Sequence, residues 1–163
     1  MKGSDMIMYE EEFTQINEVI SRLTSEANAS SVFLIDKNGQ MIASSGKTEH
    51  IDTTSLASLT AGNVAATGAL AQILNQREFQ QQYHEGEREN ILLSVVASRG
   101  ILVVIFDETS SLGLVRLRVK KAADELVAVF DKISEKVEAG IGNSKQESPF
   151  AEITDEDIDS LFS

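Results

Sequence analysis

Hydrophobic residues recur every three or four positions in three parts of the chain, a spacing that predicts amphipathic helices. The first predicted helix runs from Met8 to Asn28, with the acidic residues 10–12 in its first turn, where the helix dipole favours negative charge. Its apolar positions are Phe13, Ile16, Ile20, Leu23 and Ala27. The longest predicted helix runs from Ser111 to about Ala139. Its apolar positions are Leu112, Val115, Val119, Ala122, Leu126, Val129, Ile133 and Val137.

Five short stretches between these helices predict β-strands, most of them from their aliphatic and β-branched residues. They are SVFLID (31–36), QMIAS (40–44), EFQQQYHE (78–85), NILLSVVAS (90–98) and ILVVIFDE (101–108). Asn38-Gly39 predicts a hairpin between the first two, and Arg99-Gly100 marks a turn between the last two. The third stretch is polar and aromatic by turns, so we predict an edge or interface strand. The order α-β-β-α-β-β-β-α predicts an α/β (α+β) fold with one five-stranded antiparallel sheet packed by helices.

The second predicted helix, from Thr53 to Gln76, contains no charged residue, although charged residues make up 25% of the chain. Asp52 and Thr53 are both candidates for its N-cap. On a helical wheel one side, which we expect to cover the sheet, carries Leu56, Leu59, Asn63, Thr67, Leu70 and Leu74. The opposite side is small and neutral and carries Ser58, Ala61, Ala65, Gly68, Ala69 and Gln72.

The small outer face of this helix predicts the close approach of another backbone. A surface helix normally carries Lys and Glu there, because both are soluble and favour the helix. Gly62 and Gly68 each cost about 1 kcal/mol relative to alanine in a helix interior. The alternative is a helix buried on all sides within its own domain, but a domain of this size rarely has the layers for it. We therefore expect an interface with a second copy or with another protein.

The chain changes in character after the last helix. Residues 140–149 lose periodicity and predict a flexible linker. Residues 150–163 regain an apolar pattern in an acidic background, and Thr154 is a candidate N-cap for a short helix. So short a helix is marginal alone, so we expect it to form on docking into a groove with a basic rim. The alternative is an acidic solubilising tail. The apolar contact residues would be Phe150, Ile153, Ile158, Leu161 and Phe162.

The composition limits the cellular compartment and the classes of partner that we expect. The net charge of −12 disfavours nucleic acid and membrane as partners, because both require a basic surface. The absence of cysteine excludes disulfides and fits a reducing compartment. The N-terminal sequence lacks the apolar core of a signal peptide, and no stretch approaches the roughly 20 apolar residues of a membrane span. We expect a soluble cytoplasmic protein.

Motifs for catalysis or ligand binding are weak. SGKT (45–48) resembles the end of a phosphate-binding loop, but Met41 stands where that motif requires its first glycine. His50 and His84 have no second ligand at metal-binding spacing, so we expect neither a metal nor a cofactor. His84-Glu85 as an acid–base pair leaves a small hydrolase as the least favoured alternative.

A basic cluster opens the last helix and consists of Arg116, Arg118, Lys120 and Lys121. At helical spacing its four charges fall on several faces. We therefore favour a solvated surface that balances the acidic chain, with a contact to a phosphate or an acidic peptide as the alternative.

The element order, the Asn38-Gly39 hairpin and the helix sequence IDTTSLASLTAGNVAA (51–66) resemble the roadblock / dynein light-chain family. Further similarity lies in MYEEEF, VFLIDKNGQ, VVIFDETSSLGLVRLR and the ending SPFAEITDEDIDSLF. The resemblance implies a roadblock domain over residues 8–139, a linker over 140–149 and an acidic amphipathic tail over 150–163. It also implies a homodimer that binds a Ras-like small GTPase (MglA-type) in bacterial cell polarity and gliding motility and stimulates GTP hydrolysis.

The resemblance assigns the GTPase contacts to one side of the second helix, at Ala61, Ala65, Gly68, Ala69 and Gln72. It implies that switch loops of the GTPase are repositioned, with no catalytic residue and no arginine finger from this chain. No arginine lies between Asp52 and Gln76, and the next one is Arg77. The resemblance further implies a tail that modulates nucleotide exchange and a concentration of the protein at a cell pole. The alternative is a roadblock-type dimeric scaffold that does not stimulate hydrolysis.

Overall fold

A computed structural model describes the backbone of residues 2–143 and the side chains of residues 9–139. The elements are α1 (Lys2–Glu26), β1 (Ser31–Asp36), β2 (Met41–Gly46), α2 (Thr53–Ile73), β3 (Gln81–Glu85), β4 (Asn90–Val96), β5 (Gly100–Phe106) and α3 (Leu112–Asn143). The predicted element order and fold class are confirmed. The predicted tail contacts Phe150, Ile153, Ile158, Leu161 and Phe162 lie outside the described residues.

The five strands form one antiparallel sheet in the order β2-β1-β5-β4-β3. β3 lies at one edge, as predicted, and β2 lies at the other. The centre of the sheet is apolar on both faces, because β1 and β5 are buried along almost their whole length. Sequence-adjacent strands pair through short hairpins, and β1 returns to pair with β5, which brings the two ends of the domain together.

The two faces of the sheet are covered unequally. α1 and α3 pack side by side on one face, where Val32, Leu34 and Val104 point into their core. Phe33, Ile35 and Val103 point to the opposite face, which is covered by α2 alone. This alternation follows from the two-residue period of a strand. The face under α2 is therefore only partly covered, because one helix lies there instead of two.

α1 differs from its prediction in two respects. It begins at Lys2 rather than Met8, so the acidic residues 10–12 do not lie in its first turn. Phe13 is 47% exposed, whereas Glu12 is buried and accepts a hydrogen bond from the ammonium of Lys136 on α3 at 2.6 Å. The charged partner on α3 lets Glu12 occupy the inward position, and this displaces the expected apolar stripe at its N-terminal end.

The turn between β4 and β5 contains Ala97, Ser98 and Arg99, while Gly100 is the first residue of β5 and pairs with Val96. Ala97 and Ser98 adopt left-handed backbone conformations, with φ of 54° and 55°. Left-handed conformations at two successive residues are typical of a type I′ turn, whose twist matches the twist of the strands. It directs the hydroxyl of Ser98 towards the segment that follows α2.

Candidate partner-binding face of helix α2

α2 begins at a well-defined cap. The carboxylate of Asp52 accepts hydrogen bonds from the Ser55 amide at 3.1 Å and from the Ser55 hydroxyl at 2.7 Å. These bonds lower the pKa of Asp52. A capping carboxylate satisfies an amide that has no partner within the helix, so the start of an otherwise charge-free helix is fixed.

The orientation of α2 on the sheet differs from the prediction. Its buried residues are Ala57, Thr60 and Ala71, whereas Leu59 and Leu70 are 74% and 53% exposed. The leucine side was expected to cover the sheet, and only Leu56 of its leucines packs against the core under α2. Small residues on the inner side let the helix axis lie close to the sheet, which turns the larger residues outward.

The β1–β2 hairpin packs against the first half of α2. Gly39, with φ of 90°, lies so close that a Cβ added there would be 3.4 Å from Ser58 Cα and 3.6 Å from Ala61 Cβ. The hairpin loop is held in shape by Asp36, whose carboxylate accepts from the amides of Asn38 and Gln40. The small size of Ala61 therefore has a reason within the domain.

The predicted site residues lie close together on α2, four of them in its second half and Ala61 just before its midpoint. One groove has a volume of about 330 Å³, and its α2 wall includes all five of them: Ala61, Ala65, Gly68, Ala69 and Gln72. The opposite wall includes Lys37 from the hairpin and Arg77, Glu78 and Phe79 from the segment after α2. We call this cavity the ledge groove. It joins a neutral small-residue wall to a wall that carries both signs of charge.

Glu78 fixes the charged wall of the ledge groove. Its carboxylate accepts from the Lys37 ammonium at 3.1 Å and from the Ser98 hydroxyl at 2.8 Å. Burial raises the pKa of Glu78, but the hydrogen bonds from Ser98 and Lys37 and the positive charges of Lys37 and Arg77 together outweigh it, so that the pKa lies below its ordinary value. Three separate segments thus meet at one carboxylate, and the rim of the groove is formed before any partner arrives.

Gly62 and Gly68 have no packing function within the domain. A Cβ added to either glycine would meet no atom of the described residues within 4 Å, in contrast to Gly39. Each glycine in a helix interior is destabilising by roughly 0.5–1 kcal/mol relative to alanine. No contact within the described residues accounts for this cost.

The leucine side of α2 borders a second groove, which the sequence pattern did not predict. It has a volume of about 260 Å³ and is lined by Leu56, Leu59, Thr60, Asn63, His84, Ile91, Leu93 and Val103. The side-chain oxygen of Asn63 is buried and has no hydrogen-bond partner among the described residues. The exposed leucines of α2 signalled this surface, but a leucine stripe looks the same whether it covers its own sheet or a partner.

His84 and Glu85 are not brought together. They are adjacent residues of β3, and adjacent side chains of a strand point to opposite faces. His84 lines the groove beside α2, whereas Glu85 accepts from the Tyr83 hydroxyl at 3.4 Å on the other face. This arrangement offers no acid–base pair to a hydrolase.

No cluster of histidine and acidic side chains suited to a metal ion occurs among the described residues. Within the same part of the chain, no helix is both long enough and apolar enough to cross a membrane.

The chain matches the Roadblock/LC7 domain family over residues 15–106, which include the whole of α2 and the sheet. It belongs to the Roadblock/LC7 family. The matched span ends with β5, so α3 lies beyond it.

Within the Roadblock/LC7 family the chain closely resembles MglB. It is 61% identical to Myxococcus xanthus MglB, with 76% of this chain and 93% of that chain covered and a TM-score of 0.74. The gliding protein MglB of Thermus thermophilus is 33% identical over 74% of this chain and 92% of its own, with a TM-score of 0.70. An uncharacterised protein of Methanocaldococcus jannaschii is 30% identical over 71% of this chain and 99% of its own length.

Proposed function

We propose that this roadblock protein is a homodimeric GTPase-activating and regulatory protein for a Ras-like small GTPase of the MglA type. It acts in bacterial cell polarity and motility, in the cytoplasm and concentrated at a cell pole. The similarity to two MglB proteins over most of the chain supports the partner class. The ledge groove supports the place of contact, because it gathers the five residues that the family resemblance assigns to the GTPase.

The observation that carries this proposal is the empty space outside Gly62 and Gly68. Without side chains there, a loop of the partner can lie directly against the α2 backbone. The α2 wall of the ledge groove carries no charge, so it does not repel a charged loop of the GTPase. Such a contact depends on the fit between two surfaces rather than on charge. It therefore suits a partner whose loop must be held in one conformation.

The mechanism follows from what the groove contains. Its α2 wall carries no ionisable group, and the hydrogen-bonded Lys37 and Glu78 form part of the opposite rim. The rigid rim and the neutral wall hold switch loops of the GTPase so that the GTPase's own residues complete its active site. Positioning of this kind lowers the barrier because phosphoryl transfer depends mainly on preorganised electrostatics.

The homodimer forms through β3 and the leucine side of α2. β3 is an edge strand, and its outer backbone groups are available for pairing with a second copy. Leu59, Leu70 and Ile73 are exposed on the adjacent side of α2 and supply the apolar surface that a stable interface needs. Gln82 on β3 donates to the Thr67 hydroxyl on α2 at 2.7 Å, so the two elements move as one surface.

Residues 150–163 add a second contact with the GTPase and modulate nucleotide exchange. The support is the family resemblance of SPFAEITDEDIDSLF and its apolar residues at helical spacing. The alternative function is a roadblock-type dimeric scaffold that tethers partners without stimulating hydrolysis.

The experiment measures GTP hydrolysis by the cognate GTPase with and without this chain. Acceleration by the chain is expected, and its loss is expected in the variant Ala65→Arg/Ala69→Arg, whose new side chains fill the ledge groove. Ala128→Arg is the matched control, because Ala128 is an exposed alanine on α3. Circular dichroism and dimer mass should be unchanged in both variants. If the groove variant still accelerates hydrolysis normally, the assigned face is wrong. If even the unmodified chain fails to accelerate hydrolysis, the scaffold function stands instead.

A further inference from the structure

The basic cluster of α3 divides into two pairs with different environments. Arg118 is half-buried in the crevice between α3 and α1, and the Lys121 ammonium lies 3.8 Å from a carboxylate oxygen of Glu26 on α1. These two cations serve the packing of the two helices. Arg116 and Lys120 instead face solvent, and neither takes part in an ion pair or hydrogen bond within residues 9–139.

Arg116 and Lys120 flank an exposed apolar side chain. Leu117 lies on the same side of α3 and is 62% exposed. Gly113 lies one helical turn before Leu117, and a Cβ added there would meet no atom within 4 Å in the part of the chain that the structure describes. We call Gly113, Arg116, Leu117 and Lys120 the basic face. The exposed Asp124, one turn further along, ends the run of positive charge.

The basic face has the features of a docking surface for an acidic amphipathic segment. Leu117 offers an apolar anchor point, the two cations offer partners for carboxylates, and Gly113 leaves room for a backbone to come close. In a chain with a net charge of −12, two adjacent cations without an ion-pair partner are unexpected if they only balance neighbouring acids. Exposed cations near an apolar side chain attract an acidic partner and fix its register.

The chain itself carries a segment of that chemistry. Residues 150–163 contain five acidic residues and no basic ones, interleaved with the apolar Phe150, Ile153, Ile158, Leu161 and Phe162. The 20 residues from Ser144 to Ser163 follow the end of the described backbone at Asn143. The acidic segment and the basic face are complementary in charge and in apolar content.

The length of α3 limits which part of the acidic segment can dock within one chain. Leu117 precedes Asn143 by 26 residues, which is about 39 Å along a helix. Ile153 follows Asn143 by 10 residues, which span at most about 36 Å when fully extended. Phe150 and Ile153 therefore cannot reach Leu117 of their own chain, whereas Ile158, Leu161 and Phe162 lie far enough along the segment to do so. Contact of the first half of the segment with Leu117 therefore requires a second copy.

We propose that the basic face of α3 binds the acidic segment 150–163 of a second copy of this chain. The contact lies on the sheet face opposite to α2, so it does not overlap the ledge groove or the leucine side of α2. It holds the acidic segment in the absence of other partners and competes with any other protein that binds this segment. The contact does not depend on the proposed function.

The experiment uses the absence of cysteine from the chain to record the contact. Full-length copies carrying Gly113→Cys are mixed with size-tagged full-length copies carrying Ser160→Cys, and disulfides form under mild air oxidation. A mixed disulfide product is expected. Adding Arg116→Glu/Lys120→Glu to the first copy should lower its yield at least about fivefold, and raising salt from about 50 to about 500 mM should lower it as well.

Lys132→Glu is the matched control, because it reverses an exposed cation of the same helix away from the basic face. It should change the yield by less than about twofold, and circular dichroism should show the same fold in all variants. An undiminished yield with Arg116→Glu/Lys120→Glu overturns the proposal. A double variant Gly113→Cys/Ser160→Cys that forms its disulfide only within one chain also overturns it, since the segment would then lie on its own helix.

Discussion

The Lys37 ammonium lies 3.1 Å from the Glu78 carboxylate, and this ion pair joins the β1–β2 hairpin to the segment that follows α2. The Glu78 side chain is largely shielded from solvent, and its second oxygen accepts from Ser98 in the β4–β5 turn. Two turns at one end of the sheet and the end of α2 are thereby held together. The groove beside α2 keeps its width because these three segments share one carboxylate.

Glu78→Gln should lower stability at neutral pH by about 1–2 kcal/mol, because hydrogen bonds to a charged group are lost. The folded pKa of Glu78 lies below the ordinary value of 4.5, so its charge stabilises the fold fully above that pH. That contribution disappears as pH falls through the lowered folded pKa. The melting temperatures of the two proteins should therefore differ at pH about 7, and the difference should shrink in acid as pH falls below 4.5. Glu87→Gln, at an exposed position, should show no difference at either pH. A gap that persists in acid would contradict the role of the charge.

Gly62→Ala and Gly68→Ala should each stabilise the isolated protein by about 0.5–1 kcal/mol, because the added methyl group meets no atom and favours the helix. The same variants should weaken stimulation of the GTPase, because the methyl group occupies space that the partner needs. Urea unfolding and a hydrolysis assay check the two effects. Gly46→Ala is the contrasting case, since its φ of 89° and the nearby Ser30 backbone make a side chain strained there. If the helix glycines can be replaced without loss of stimulation, close approach does not explain them.

Leu70→Asp, and independently Leu59→Asp, should shift the protein from dimer to monomer with little change in helical content. Both side chains are more than half exposed in the single chain, so a charge costs little there, but it would be buried at the interface. Sedimentation equilibrium measures the mass. Ala128→Asp places the same charge on an exposed position of α3 and should leave the dimer intact. A dimer that survives both leucine variants would locate the interface elsewhere.

Deletion of residues 150–163 should preserve the dimer and alter either the affinity for the GTPase or the rate of nucleotide exchange. The proposed dimer interface on α2 and β3 does not include this segment. Exchange of a fluorescent guanine nucleotide and a binding titration measure the effect. Equal exchange and equal affinity with the shortened chain would remove the segment from the proposed function.

The sequence predicted every helix and strand of the described fold, the helices from their three-four spacing and most strands from their aliphatic and β-branched residues. It also brought together the five residues of the ledge groove, although it misjudged how α2 faces the sheet. Leu59 and Leu70 were expected to point inward, and the structure turns them to solvent while Ala57 and Ala71 are buried. Hydrophobicity indicates that a side chain is removed from water but does not say whether its own domain or a partner removes it.

The same limit explains the first helix. The sequence around Glu12 did not predict its burial, because its partner Lys136 lies far away in the sequence. Conversely, Phe13 fits the three-four spacing and is still half exposed. Pairs that form between distant segments decide such positions, and periodicity within one segment contains no information about them.

α2 is the only helix on its face of the sheet in the described structure, and this affects where the domain unfolds locally. α1 and α3 pack against each other, whereas α2 of a single copy rests on a narrow row of small side chains and on the β1–β2 hairpin and has solvent around the rest of it. Local unfolding begins where few apolar contacts oppose it. Backbone amides of α2 should then exchange with deuterium faster than those of α3, and slow down when a partner covers the helix. Binding of a partner should therefore change the rate of deuterium exchange most in α2, the least protected helix of the domain.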